Sequence, residues 1–266
     1  MKRLALALAA LALLAGACGS GRESAQQILA DTSANLGKIK SGDLAMELTF
    51  SAKGGKQAGF SLEGPFALHA GRLPDAQLDY TQNAGGRTAT QTFISTGDKA
   101  YVRIRGTTYE LPEATANEVR STVGTTGGLQ VIDLSSWMRD PTLHDGGEVG
   151  GADTDRIDAK LNVPAAVSGL MAIASQFGGT TGPGALSGAS AEQVERAVHN
   201  ATISVWTGKD DRLLRKVEMT LELSPAASEQ IKSVIGAGAH FVLAISNPNE
   251  KVSVQRPANA KPFPTA

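Results

Sequence analysis

The chain has 266 residues, 25 basic and 26 acidic, with a formal charge of −1; 41% of its residues are hydrophobic and only 5% aromatic, beside 30 glycines. That balance leaves no electrostatic footprint for nucleic acid, and a single cysteine excludes a disulfide framework. A chain of this length suits one large domain or two small ones, and its glycine-rich, aromatic-poor composition favours strands and turns filled by aliphatic side chains.

Lys2 and Arg3 precede an apolar run from Leu4 to Leu14 and then the small residues Ala15, Gly16 and Ala17. This is the pattern of a cleaved signal peptide over residues 1–17. The apolar run is shorter than the roughly 20 residues a permanent span requires. Cys18, the only cysteine, follows at once in Leu14-Ala15-Gly16-Ala17-Cys18-Gly19, which resembles a lipobox with Ala15 where leucine is more frequent. The expectation is a chain acylated on Cys18 and held on the extracytoplasmic face of the cell membrane, since two or three acyl chains give the multiple anchors stable attachment requires. Residues 18–23 form a tether reaching roughly 20 Å when extended, so the domain rides close to the lipid head groups. Loss of Lys2 and Arg3 leaves a mature charge of −3.

The folded domain is expected over residues 24–256. Ile28, Leu29, Thr32 and Leu36 recur at helical spacing, with Ser24 as N-cap and Gly37 as stop. The period then changes to two: Leu44, Met46, Leu48 and Phe50 alternate with polar neighbours. Similar alternation recurs at Phe60 and Leu62, Phe66 and Leu68, Leu78 and Tyr80, and Ala100, Val102 and Ile104. Turn sequences at Lys53–Lys56, Asn83–Gly86 and Thr96–Lys99 make this an antiparallel meander. Glu118 to Val123 suggests a helical turn, Asp133 to Met138 a short capped helix stopped by Pro141, and Asp155 to Leu161 a strand.

Val167, Leu170, Met171, Ala174 and Phe177 share one helical face, as a helix on the core or a lid. Residues 178–188 read as a loop poor in apolar bulk, and Ser190-Ala191-Glu192-Gln193 as a capping box opening a helix to about Val198. Ile203 and Val205, a turn at Gly208–Asp211, and the alternating Val217, Met219, Leu221 and Leu223 restore the sheet. Ser224-Pro225 opens a helix to about Ile235. Phe241, Leu243 and Ile245, then Val252 and Val254, supply closing strands before an extended tail over residues 257–266.

Catalytic and metal signatures are missing from this pattern. His69, His144, His199 and His240 are scattered singly. The Asp153–Asp158 run lacks the glycine and glutamate an EF-hand loop needs at its sixth and twelfth positions, where it has Asp158 and Pro164. No Gly-Lys-Ser/Thr phosphate cradle and no Gly-x-Ser-x-Gly elbow is present. No cofactor and no enzymatic activity are expected.

Taken together, Ala25 to Phe50, the segment Phe93 to Val102, the strand–turn–strand unit Ile203 to Leu223, and Phe241 to Pro257 resemble the LppX/LprA/LprF/LprG lipoproteins of actinomycetes, relatives of the LolA/LolB carriers. Residues 178–188 are foreign to that pattern. The resemblance implies an α+β fold: a strongly curved antiparallel sheet, an open half-barrel, with helices packed on its concave face and an apolar cavity between the layers. It also implies a carrier of acylated lipid or lipoglycan within the cell envelope, whose partners are the membrane, a hydrophobic lipid ligand and an envelope transporter or protein. The acylated cysteine of that family transfers onto Cys18. Met46, Leu48, Phe50, Val102, Val205, Met219 and Leu221 are the candidate pocket residues, although alternation alone serves a packed core equally well. The alternative is a sensory or scaffolding lipoprotein that uses the same fold to bind a protein.

Overall fold

The computed structural model describes residues 23–51, 57–84, 86–126, 133–166, 195–224, 227 and 237–264. The signal peptide, Cys18, the turn at Lys53–Lys56, most of the segment 164–194 and the helix expected after Ser224 lie outside them.

Helix α1 (Ala25–Asn35) begins where its cap is: the Ser24 hydroxyl accepts the Gln27 N–H at 3.1 Å. A 3-10 turn, Leu36–Lys38, ends it. Ile28, Leu29 and Leu36 point inward and are all but fully buried. The chain then forms β1 (Ser41–Ser51), β2 (Gln57–Ala67), β3 (Asp75–Ala84), β4 (Arg87–Thr96), β5 (Ala100–Ile104) and β6 (Thr107–Glu110), each paired antiparallel with the next. Helices α2 (Glu113–Thr126) and α3 (Leu134–Trp137) lie on the path to the far edge of the sheet, where a second meander begins. It comprises β7 (Met138–Val149), β8 (Ala152–Leu161), β9 (Val198–Gly208), β10 (Leu214–Leu223) and β11 (Gly238–Ser246).

β11 returns to pair with β1, so the two meanders fuse along one seam into a single sheet. Its order is β12-β6-β5-β4-β3-β2-β1-β11-β10-β9-β8-β7, and it does not close on itself. Among the described residues the one parallel pairing is that of β12 (Lys261–Pro262) with β6.

Three elements depart from the sequence expectation. β7 carries Pro141 and Gly146-Gly147, and it is an edge strand whose pairing with β8 shifts register at both places. An edge tolerates what a central strand does not, so Pro141 lies inside a strand instead of stopping α3. The helix around Glu118 is longer than expected because its start, Glu113, has no apolar signal. Val252 and Val254 form no strand. Residues 247–260 instead run as a strap from the β1–β11 seam to the β6 edge. Lys40 N–H donates to Asn249 Oδ1 at 2.8 Å and the Ser41 hydroxyl to the Glu250 carbonyl at 2.6 Å. Further along, Arg256 pairs with Asp98 at 2.5 Å and the Phe263 ring meets Tyr109 edge-on at 6.0 Å.

Gly64 is among the glycines that the register requires. Gly64 has φ +140 and a Cβ there would sit 2.1 Å from the Gln77 carbonyl oxygen of β3; Pro65, which has no N–H, follows it. Gly64→Ala is expected to cost about 2 kcal/mol, seen as a lower urea midpoint with unchanged slope; an unchanged midpoint would contradict this account of the register.

A second expectation comes from the outward side of β10. The Lys216 ammonium, and His240 beside it, hold Glu218 below the usual carboxylate range. Its folded value is depressed, so its contribution is complete above the unfolded value near 4.5 and disappears as pH falls through the lower folded value. Urea midpoints of wild type and Glu218→Gln should therefore differ at pH 7 and converge on acidification.

Candidate functional site

Directly paired residues of neighbouring strands share a face, and the pairing registers align apolar side chains into rows across the sheet. One row runs Ile157, Val205, Val217, Leu243, Met46, Leu62, Tyr80. A second runs Ile203, Met219, Phe241, Leu48, Phe60. The alternate positions point the other way and include paired charges: Lys216 bonds Glu218 at 2.6 Å and stands 4.5 Å over the Trp206 ring.

Burial changes along each row. At the β8–β10 end, Ile157, Val205 and Val217 are 0–1% exposed beneath α1 and α3, in one cluster with Leu134 and Trp137. Thr32 of α1 and Thr207 of β9, both fully buried, join their hydroxyls at 2.9 Å there. Beyond β11 the same face continues, but Met46, Leu48, Phe50, Phe60, Leu62 and Tyr80 are only half-buried, and Phe93 on β4 is 39% exposed. Three aromatic rings from three strands form a ladder on it, with Phe60 and Tyr80 centroids 5.8 Å apart and Tyr80 and Phe93 6.4 Å apart. An apolar sheet face that stays partly accessible is suited to apolar contact with a ligand.

The structure thus divides the sequence candidates. Met46, Leu48, Phe50 and Leu221 stand on the half-buried part of the face. Val205 and Met219 lie on the same face inside the packed core, and Val102, in register with Phe93, is also buried. Phe60, Leu62, Tyr80 and Phe93 belong to the accessible stretch and were not among the pocket candidates; the alternation of Phe60, Leu62 and Tyr80 was visible, but the convergence of all four depends on cross-strand register.

Glu23, the last residue before the expected domain, is ion-paired to Arg212, whose other nitrogen bonds Asp155 at 2.6 Å. This fixes the start of the domain at the end of the sheet formed by the β7–β8 and β9–β10 turns. Among the described residues no group of three or more His, Cys, Asp or Glu is placed to hold a metal, and no helix is long and apolar enough to cross a membrane.

No family model and no curated protein sequence matches the chain. Among solved structures, LprF from Mycobacterium bovis superposes with a TM-score of 0.53 at 14% identity, over 88% of this chain and 97% of its own. The chain has the LprF fold. A LolA superfamily protein, NE2245 from Nitrosomonas europaea, aligns over 87% of this chain and 96% of its own at 10% identity, with a TM-score of 0.22 that is too loose to bear on the fold. Within the LprF fold of this chain, the wide, open, mostly antiparallel sheet with few helices matches the architecture expected from sequence.

The division of the face is measurable by one substitution made twice. Leu243→Ala, in the packed part, is expected to cost about 3 kcal/mol, and Leu62→Ala, two strands away on the same row, less than about half of that. Equal losses in urea denaturation would mean that the face is closed throughout.

Proposed function

We propose that this protein is a non-enzymatic, membrane-anchored lipoprotein that binds an acylated lipid or lipoglycan on the apolar face of its sheet and carries it within the cell envelope. The observation that carries the proposal is the continuation of the apolar face past the core into half-buried rows with an aromatic ladder. The LprF fold and the lipobox at Cys18 support it. Burying about 400 Å² of acyl-chain surface yields on the order of 10 kcal/mol before the ordering costs of binding. No charged side chain lies on that face along β1 or β2, so the chain would meet no unpaired charge there.

Acylation on Cys18 would hold the Glu23 end at the bilayer, on the extracytoplasmic side. The domain would then exchange lipid with that surface or with a partner in the envelope.

Protein from residue 19 onward, purified from an envelope extract and analysed by organic extraction and mass spectrometry, is expected to release acyl lipid, and Leu62→Asp to release several-fold less at unchanged circular dichroism. A wild-type protein that yields no lipid and takes up no fluorescent diacyl lipid overturns the carrier; a specific protein partner in cross-linking would then favour the scaffolding alternative.

A further inference from the structure

The two faces of β1 to β6 differ in charge. Alternate strand positions point opposite ways, so the pairing registers assign every charged residue of these strands to one face. The carboxylates Asp43, Glu47, Glu63, Asp75, Asp79 and Glu110 all stand on the outward face, away from the aromatic ladder. On the apolar face no carboxylate occurs among the described residues of these strands, and the cation there is Arg87. A chain with more acids than bases thus keeps its acids off the face that meets the ligand.

Arg87 opens β4 at the end of the sheet away from Glu23. Along the same face of β4 come Ala89, Gln91 and Phe93, paired in turn with Gln82, Tyr80 and Leu78 of β3. Ala89 therefore has Gln82 about 5 Å across the strand pair, and Arg87 and Gln91 about 7 Å to either side along its own strand. Three long polar side chains surround one methyl group, and a ligand group resting on Ala89 is within reach of all three. None of the three has a side-chain hydrogen bond or ion pair among the described residues, and Gln82, Arg87 and Ala89 are exposed. The outward side of the same hairpin is different, because its polar side chains satisfy one another: Thr88 bonds Asn83 at 2.7 Å and Thr81 bonds Thr90 at 3.1 Å. The unpartnered group also joins the ladder directly, since Phe60 is paired with Gln82 and Tyr80 with Gln91.

We infer that the lipid held by the apolar face is anionic and that its charged head group sits over Ala89, against Arg87, with the Gln82 and Gln91 amides on its remaining oxygens. The inference rests on the carrier reading and adds the class of head group and its place. A guanidinium offers forked N–H groups to an oxyanion, and each amide offers a further donor. A cationic head group would instead meet Arg87 with no carboxylate on that face to offset it. From there the acyl chains run over Tyr80, Phe60 and Leu62 toward the seam.

The test uses protein from residue 19 onward, which contains every described residue, in calorimetric titrations with three probes of equal chain length below their micelle concentrations. These are dioctanoyl-phosphatidylglycerol, dioctanoylglycerol and dioctanoyl-trimethylammonium-propane, at matched ionic strength. The anionic probe is expected to bind at least about fivefold tighter than the neutral one, and the cationic probe weakest. In R87Q, whose substituted side chain is exposed at a hairpin, the anionic preference should fall below about twofold. K261Q, altered on the same face but at the β12 edge, should keep it. Equal affinities for the anionic and neutral probes, a preference that survives R87Q, or one lost in K261Q overturn the inference and leave the carrier standing. Binding of none of the three removes the carrier reading itself, and the inference with it.

Discussion

A mismatch of lengths governs this fold. α1, with eleven residues, is about 16 Å long, whereas twelve strands at about 4.8 Å spacing make a sheet roughly 50 Å wide. One helix of that length covers about three strands, and α1 with α3 covers β8 to β10, where Ile157, Val205 and Val217 lose all contact with water. The apolar rows do not stop there, because the strands keep their two-residue alternation through β11, β1, β2 and β3. What begins as core therefore continues as an accessible face without any change in the type of residue.

The seam between β1 and β11 holds these two regimes in one sheet. Eight consecutive residue pairs, from Asp43 with Ser246 to Phe50 with Ala239, join the first meander to the second. Non-local pairing of this kind is fixed only once both meanders have formed. The strap reinforces the seam from outside through Asn249 and Glu250, and it ends by laying β12 against β6. The two edges of the open sheet are thereby blunted by different means, β7 by its proline and register shifts and β6 by the strap, which removes the free ladder that invites edge-to-edge association.

These physics also explain what could be read in the sequence. α1 was legible because its cap, its apolar face and its stop are all local, and β1 and β10 because strict alternation over several residues has few other solutions. β4 gave little apolar signal, since its inward positions are Ala89 and Gln91 before Phe93, and β7 was hidden by residues that only an edge tolerates. Core and accessible face were not separable, because Val205 and Met46 obey the same alternation and differ only in whether α1 lies over them. The aromatic ladder required the registers of β2 with β3 and of β3 with β4, which no short-range pattern encodes. The strap was missed for a related reason: Val252 and Val254 alternate like a strand but have no free edge to join.

The position of Glu23 links the two faces to the proposed anchor. Its ion pair with Arg212 fixes the chain entry beside the β7–β8 and β9–β10 turns, and a tether of six residues allows roughly 20 Å of reach from there. From Leu44, near that end, to Phe50, the inward positions of β1 extend the apolar face by about 20 Å along the strand. Along that length Leu44, Met46, Leu48 and Phe50 are all half-buried, so cover changes across the strands and not along β1. The part of the face under α1 is filled by the protein's own core, and the freer part, bearing Phe60 and Tyr80, lies on β2 and β3; a ligand held by this face therefore has room only on the β1 to β4 side of the seam.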